Sequence, residues 1–337
     1  LYQARIKCPQ LKVYSGNYKM YKQYSNQLYK LLLQYTDKIE RFSIDECFLD
    51  MTNCLMGKSL LDKAYEINKR VKEELGFTVN VGVAHNKLLA KMASDFTKPD
   101  RVHTLYENEI PTKMWCLPIS DLLMLGRKTI PKLYNMGIKT IGQLAHTDKQ
   151  LLIKKFGKHG KMMWEYANGI DDSEVEYKFE KPKGIGNSTT LPVDLSEISK
   201  LEEVLLALTE QVTYRLRKYD MVANVVNVQL RSKDFEDKTH QRKLMSPTSR
   251  TKEIYALAKE LLEEMYRQGT PIRLIGMRVD GLEEKQSAQI SLFDNKDNEK
   301  QDKLDKVVDD LKQKYGYNSI TRAGKLHSED KIKLKDI

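Results

Sequence analysis

Asp45 and Glu46 stand side by side in the stretch Ile39-Glu40-Arg41-Phe42-Ser43-Ile44-Asp45-Glu46-Cys47-Phe48-Leu49-Asp50-Met51. Its β-forming residues suit a hairpin with the acidic pair near the bend. Adjacent carboxylates on a rigid bend project hard oxygen ligands, which Mg2+ takes while it also holds phosphate groups. Two such ions would activate a hydroxyl for attack on a phosphate and stabilise a leaving pyrophosphate. The same dipeptide is also what a solvated turn looks like. Roughly 40 residues on, Asn86 can cap a helix in which Lys87 and Lys91 share one face, and Lys98-Pro99 closes that segment. Cations there can clamp a triphosphate or its transition-state charge; as the wet face of an ordinary helix they would carry no chemistry.

The elements that must position these groups follow from periodicity. Tyr21, Tyr24, Leu28, Leu31, Leu32 and Tyr35 recur at three- and four-residue steps, which predicts a buried helix from Tyr18 toward Asp37. A second helix is expected around Leu60 to Leu75, and Phe77, Val79, Val81 and Val83 alternate as a half-buried strand. After Pro99 the pattern changes to short helices punctuated by glycines up to about Gly169, an all-helical domain. Residues 178–183 are charged and aperiodic and are read as a linker. Beyond them comes strand (Gly184 to Thr190), helix (Leu201 to Arg217), strand (Val222 to Arg231), strand (Lys238 to Met245), helix (Lys252 to Arg267) and strand (Ile272 to Val279), a βαββαβ sandwich with both helices on one face of a sheet. Glu283 to Gln301 reads as polar and flexible, and Leu304, Val307, Val308, Leu311 and Tyr315 as the apolar face of a last amphipathic helix. The fold class is therefore α+β and multidomain.

With 40% hydrophobic residues the chain can bury a core, and at 337 residues it suggests more than one domain. A formal net charge of +10 draws it toward polyanions, which permits nucleic-acid binding but equally suits a soluble protein with a basic surface. No apolar run reaches the roughly 18 residues of a membrane span, and the opening Leu1-Tyr2-Gln3-Ala4-Arg5 lacks a signal-peptide layout, so a cytoplasmic protein is expected. Cys8, Cys47, Cys54 and Cys116 lack zinc spacing and read as reduced, mostly core-filling thiols.

Ser43-Ile44-Asp45-Glu46, then Val81-Gly82-Val83-Ala84-His85-Asn86-Lys87-Leu88-Leu89-Ala90-Lys91 and Lys98-Pro99, resembles the palm signature of Y-family translesion DNA polymerases, in the bacterial polymerase IV and polymerase V branch. The resemblance implies that Asp45 and Glu46 are catalytic metal ligands for two Mg2+ ions and that Lys98 contacts the phosphates of the incoming nucleotide. Lys87 and Lys91 match the pattern with a less defined phosphate or DNA role. It implies the end of a fingers domain (1–17), a partial ferredoxin-like palm (18–106), a helical thumb (107–177), the linker, a βαββαβ little finger (184–282) and a tail (283–337). It also implies a first palm strand with another metal-binding Asp, an aromatic gate against ribonucleotides, and a Tyr and Arg for the triphosphate, all preceding Leu1. No acidic residue occurs before Asp37, so the chain is read as a fragment with little or no polymerase activity.

Two glycine turns, Leu125-Gly126-Arg127-Lys128-Thr129 and Phe156-Gly157-Lys158-His159-Gly160, lead into helices and offer backbone N–H groups to a phosphate. A lone turn of this kind is usually only a helix stop. The pair looks like the helix-hairpin-helix elements of a polymerase thumb, with Met124 where a glycine is expected. Arg215, Arg217, Lys218, Arg231, Lys233, Arg242 and Lys243 make a basic group on the sandwich that can lie along DNA phosphates, although each singly is an ordinary surface charge. In the tail, Gln289-Ile290-Ser291-Leu292-Phe293 carries apolar residues with no local core to enter. It resembles the peptide by which bacterial polymerases dock on the sliding clamp, through Gln289, Leu292 and Phe293. The implied partners are primer-template DNA, deoxynucleoside triphosphates and the clamp, with the protein a monomer and no membrane involved. A non-catalytic DNA- and clamp-binding protein is the alternative; a two-metal nuclease would need more carboxylates near Asp45.

Overall fold

The computed structural model describes residues 1–54, 57, 59–178, 181–285, 296–316 and 319–320. It falls into two units, Leu1–Phe179 and Glu180–Ile337, with the division inside the stretch read as a linker.

In the first unit, helix α1 (Tyr2–Lys7) buries nothing. Helix α2 (Tyr18–Leu32) starts at Asn17, whose side chain accepts the Met20 N–H. Only Leu28, Leu31 and Leu32 of α2 are buried, whereas Tyr21 and Tyr24 are exposed, so the expected buried helix is buried over its last turns alone. Strands β1 (Ile39–Arg41) and β2 (Cys47–Leu49) pair antiparallel as the expected hairpin. Helix α3 (Leu60–Arg70) opens on a reciprocal Ser59–Asp62 cap, runs on into a π turn over Val71–Leu75, and stops at Gly76 with φ 75°. Strand β3 (Val81–Val83) is shorter than the alternation from Phe77 implied. It pairs in parallel with β4 (Val102–Thr104), which is itself only three residues long. Upstream of it the Asn80 side chain donates to the Ser94 and Thr97 carbonyls.

Helix α4 (Lys87–Asp95) lies between these strands in sequence and is capped by Asn86, as the sequence predicts. Gly82 sets its distance from β3, because a Cβ there would run into the Ala90 carbonyl and the Ser94 nitrogen. The buried face of α4 (Leu88, Leu89, Met92, Ala93) shares one core with the helices that follow. Those are α5 (Ile130–Tyr134), α6 (Ile141–Ala145), α7 (Lys149–Phe156) and α8 (Lys158–Ala167). A second core joins Leu28, Leu31 and Leu32 to Ile39, Ile67 and Val71.

The second unit contains β5 (Gly184–Leu195), α9 (Ile198–Lys218), β6 (Met221–Ser232), β7 (Asp237–Thr248), α10 (Thr251–Met265) and β8 (Ile272–Asp280). A two-residue strand β9 (Glu283–Glu284), in a stretch expected to be flexible, pairs with the start of β6. The sheet order β5-β8-β6-β7 with α9 and α10 packed on it is the sandwich foreseen from the element order. Leu201, Leu205, Val212, Ile254 and Leu261 from the helices meet Val226, Val228, Ile275 and Val279 from the strands.

Helix α11 (Lys296–Tyr315) forms where expected, but its buried stripe is turned away from the expected apolar face, of which only Val308 and Leu311 are half-buried. Leu304, Val307 and Tyr315 are more than half exposed, whereas Asp305 and Lys312 are buried. Arg217 of α9 explains this orientation. Its guanidinium holds Asp309 through two hydrogen bonds of 2.6 and 2.9 Å and also reaches Asp305 at 3.3 Å. Asp305 in turn accepts the Thr251 N–H at the start of α10, and Arg250 pairs with Asp302. One further expectation, that of core-filling cysteines, is overturned. The four cysteines form no disulfide, but they are not core-filling, since Cys8 and Cys116 are exposed and the other two half-buried. Among the described residues no helix is long and apolar enough to cross a membrane.

Candidate functional site

The β1–β2 hairpin turns so tightly that the Phe42 and Ser43 N–H groups both donate to the Glu46 carbonyl, at 3.0 and 3.1 Å. The Ser43 hydroxyl donates to Asp45 Oδ1 at 2.6 Å and accepts the Asp45 N–H at 3.3 Å. The acidic pair is therefore held by its own turn, on the bend where the sequence put it. Asp45 is exposed and Glu46 partly so, which suits groups that meet a ligand arriving from solvent.

Helix α4 brings its lysines to this hairpin. Lys91 Nζ donates to Glu46 Oε1 and to Asp95 Oδ2, both at 2.7 Å. Lys98 Nζ lies 2.8 Å from the other oxygen of Asp95. Glu46, Lys91, Asp95 and Lys98 thus form one chain of alternating charge from the hairpin bend to the end of the α4 segment. Burial works against the Lys91 charge, but hydrogen bonds to Asp95 and Glu46 prevail and hold its ammonium above the usual lysine range. Burial likewise opposes the Asp95 carboxylate, and the Lys91 and Lys98 hydrogen bonds keep its carboxyl below the usual range.

Lys87 is engaged differently. Its ammonium donates to Glu40 Oε2 at 2.7 Å and to the Glu174 carbonyl at 3.0 Å, and the Glu176 N–H donates to the same Glu40 oxygen. That lysine ties the hairpin to residues 174–176. Asp45, Glu46, Lys91 and Lys98 line one cavity of about 1430 Å³ that also reaches Phe48 and Val83. The strands around it form two separate two-stranded sheets, β1-β2 and β3-β4. Sequence reading missed Asp95 and Glu40. Asp95 left a signal in its spacing, four residues after Lys91 and three before Lys98; Glu40 left none, since its partner is 47 residues away.

Both carboxylates at the bend are hard oxygen donors. Among the described residues no group of three or more His, Cys, Asp or Glu side chains gathers to hold an ion alone. The pair fits a divalent cation that shares its coordination with bound phosphate, the habit of Mg2+, rather than a closed protein cage.

The glycine turns of the helical region each lie at the start of a helix. Met124 sits at φ 65°, the left-handed conformation that makes a glycine the expected occupant. Thr129 N–H donates to the Gly126 carbonyl, and Arg127 and Lys128 are exposed beside it. Gly157, at φ 63°, ends α7 and starts α8 at an exposed Lys158. Gly160 lets α8 touch α7, because a Cβ there would meet the Leu152 carbonyl.

On the sandwich the basic group is largely paired. Arg231 makes two hydrogen bonds of 2.9 Å to Asp237 on the neighbouring strand, and Arg242 bonds Glu260 and Glu264 of α10. Arg217 is committed to α11, while Lys218, Lys233 and Lys243 are exposed. Gln289, Leu292 and Phe293 lie outside the described residues.

Known proteins resemble the chain along nearly its whole length. The impB/mucB/samB family matches residues 1–95, and its C-terminal domain matches residues 182–292. DNA polymerase IV of Clostridium acetobutylicum is 44% identical over 98% of this chain and 83% of its own length. The chain belongs to the DNA polymerase IV family, within the Y-family polymerases. DNA polymerase IV of Acetivibrio thermocellus is 37% identical over 96% of the chain and 82% of that protein, and DNA polymerase IV 1 of Bacillus subtilis 33% identical over 98% and 80%. A solved Y-family DNA polymerase chimera of Dbh and Dpo4 has the same fold, with a TM-score of 0.70 at 24% identity over 83% of this chain and 81% of that one.

Proposed function

We propose that the protein is a template-directed DNA polymerase of the translesion type, which adds deoxynucleotides to a primer 3′ end and uses Asp45 and Glu46 as its catalytic carboxylates. The observation that carries this reading is the charge chain from the hairpin bend through Lys91 to Lys98, on one cavity, in a member of the DNA polymerase IV family. Asp45 and Glu46 would hold two Mg2+ ions, with triphosphate oxygens and water among the remaining ligands. Such ions, when bound, make the primer hydroxyl more acidic and neutralise charge on the leaving pyrophosphate. Ser43 fixes the rotamer of Asp45, so that carboxylate need not reorganise on ligand arrival. Lys98, 61% exposed, reaches outward to meet nucleotide phosphates.

On the same reading residues 18–106 act as palm, 107–177 as thumb and 184–282 as little finger. Gly126, Arg127, Lys128, Gly157, Lys158 and Gly160 would receive DNA phosphates through backbone N–H groups and exposed cations. Gln289, Leu292 and Phe293 would dock the sliding clamp and offset salt-sensitive DNA affinity by raising local concentration.

The test is primer extension with Mg2+ by the protein expressed from its own start codon. Asp45→Ala should lower extension by at least ~10²-fold while leaving DNA binding near wild type. An Asp45→Ala variant as active as the wild type sinks the assignment. A wild type that binds DNA and never extends it would favour the non-catalytic alternative.

A further inference from the structure

Asp95 ends α4, where a carboxylate opposes the helix dipole and weakens the helix that carries it. Its position needs another reason, and the structure supplies one on each oxygen. Oδ2 accepts from Lys91, whose side chain is 14% exposed and whose other hydrogen bond goes to Glu46. Oδ1 faces Lys98, 61% exposed on a stem with four rotatable bonds. One end of the carboxylate is therefore tied to a nearly immobile cation and the other to a mobile one. A lysine that must meet a phosphate loses rotamer freedom in doing so, and an anchor that has already restricted the stem removes part of that cost.

We infer that Asp95 is a positioning residue, which holds the Lys98 ammonium ready for the triphosphate of an incoming nucleotide and couples it through Lys91 to Glu46. The inference rests on the polymerase reading for the identity of the ligand. Two rival accounts predict different outcomes. If Asp95 served only the helix, replacing it with Asn would relieve the dipole clash and leave nucleotide affinity alone. If it acted only as a negative charge near the phosphates, Asn would remove repulsion and tighten nucleotide binding. Positioning alone predicts weaker binding, through Lys98.

The experiment is a double-mutant cycle of Asp95→Asn and Lys98→Ala, read by dGTP binding to the protein on DNA with a dideoxy-terminated primer, so that no turnover occurs. Asp95→Asn should weaken dGTP binding by roughly 10-fold, Asp95→Glu should recover part of it, and Asp95→Asn should change little in the Lys98→Ala background. Thermal melts of each variant separate a folding defect from a local one. Unchanged or tighter binding by Asp95→Asn overturns the inference, as do additive effects or a wild type that binds dGTP no better than Lys98→Ala. Failure of the polymerase reading is seen separately, as a wild type that does not extend an unblocked primer.

Discussion

Each unit contains a run of alternating charges, and the two runs differ in the cation used and in how exposed the carboxylates around it are. In the N-terminal unit the run is built on lysines, with Glu46 37%, Asp95 44% and Lys98 61% exposed around a half-buried Lys91. In the C-terminal unit Arg217, Asp305 and Asp309 are all under 20% exposed, and the guanidinium also bonds the Ser249 carbonyl. A lysine is a point charge that can exchange a carboxylate for an arriving phosphate. A guanidinium forked onto two carboxylates cannot leave without stranding buried charge. On the polymerase reading the same chemistry would serve a replaceable ligand in one place, while it holds a helix in the other.

The sharpest way to break the comparison is Arg217→Ala. It would leave a buried Asp305 and a half-buried Asp309 without their cation, a loss of about 3–5 kcal/mol, and α11 should undock. Hydrogen exchange along α11 should rise toward that of an isolated helix and trypsin should cut at Lys303 or Lys306; full retention of protection would show that apolar contacts hold the helix after all.

A smaller effect is expected from pH on the lysine run. The Asp95 carboxyl is held low, so its contribution to stability is complete above about pH 4 and is lost as pH falls through the lowered value. The Lys91 ammonium is held high, so its contribution is complete below about pH 10 and is lost as pH rises through the raised value. The part of the melting profile that belongs to this run should be flat between these limits and fall away outside them. Asp95→Asn should flatten the acid limb, whereas Arg217→Ala should leave the Asp95 part of it in place. An acid limb identical in Asp95→Asn and wild type would mean that water screens the run completely.

The smallest effect belongs to a position outside both runs. Met124 adopts φ 65° and is 62% exposed, so Met124→Gly relieves left-handed strain while adding freedom to the unfolded chain. The net gain should stay below about 1 kcal/mol, readable as a small rise in Tm; a loss would mean that the Met side chain makes contacts worth more than the strain.

Local patterns and tertiary partners contributed unequally to these two runs. The hairpin bend at Asp45, the Asn86 cap, the shared face of Lys87 and Lys91, and the βαββαβ order were all legible in the chain, because turns, caps and periodicity depend on neighbours within a few residues. The pairing of Lys87 with Glu40 was not, and neither was the split in roles that ties Lys87 to residues 174–176 and leaves Lys91 at Glu46. Helix α11 marks the boundary most clearly. Its two faces could be read from Leu304, Val307 and Tyr315 against Asp305, Asp309 and Lys312, but periodicity says only that a helix has two faces. Which one turns inward depends on the surface it meets, and that surface, with Arg217 and Arg250 projecting from α9 and the start of α10, exists only once the C-terminal unit has folded.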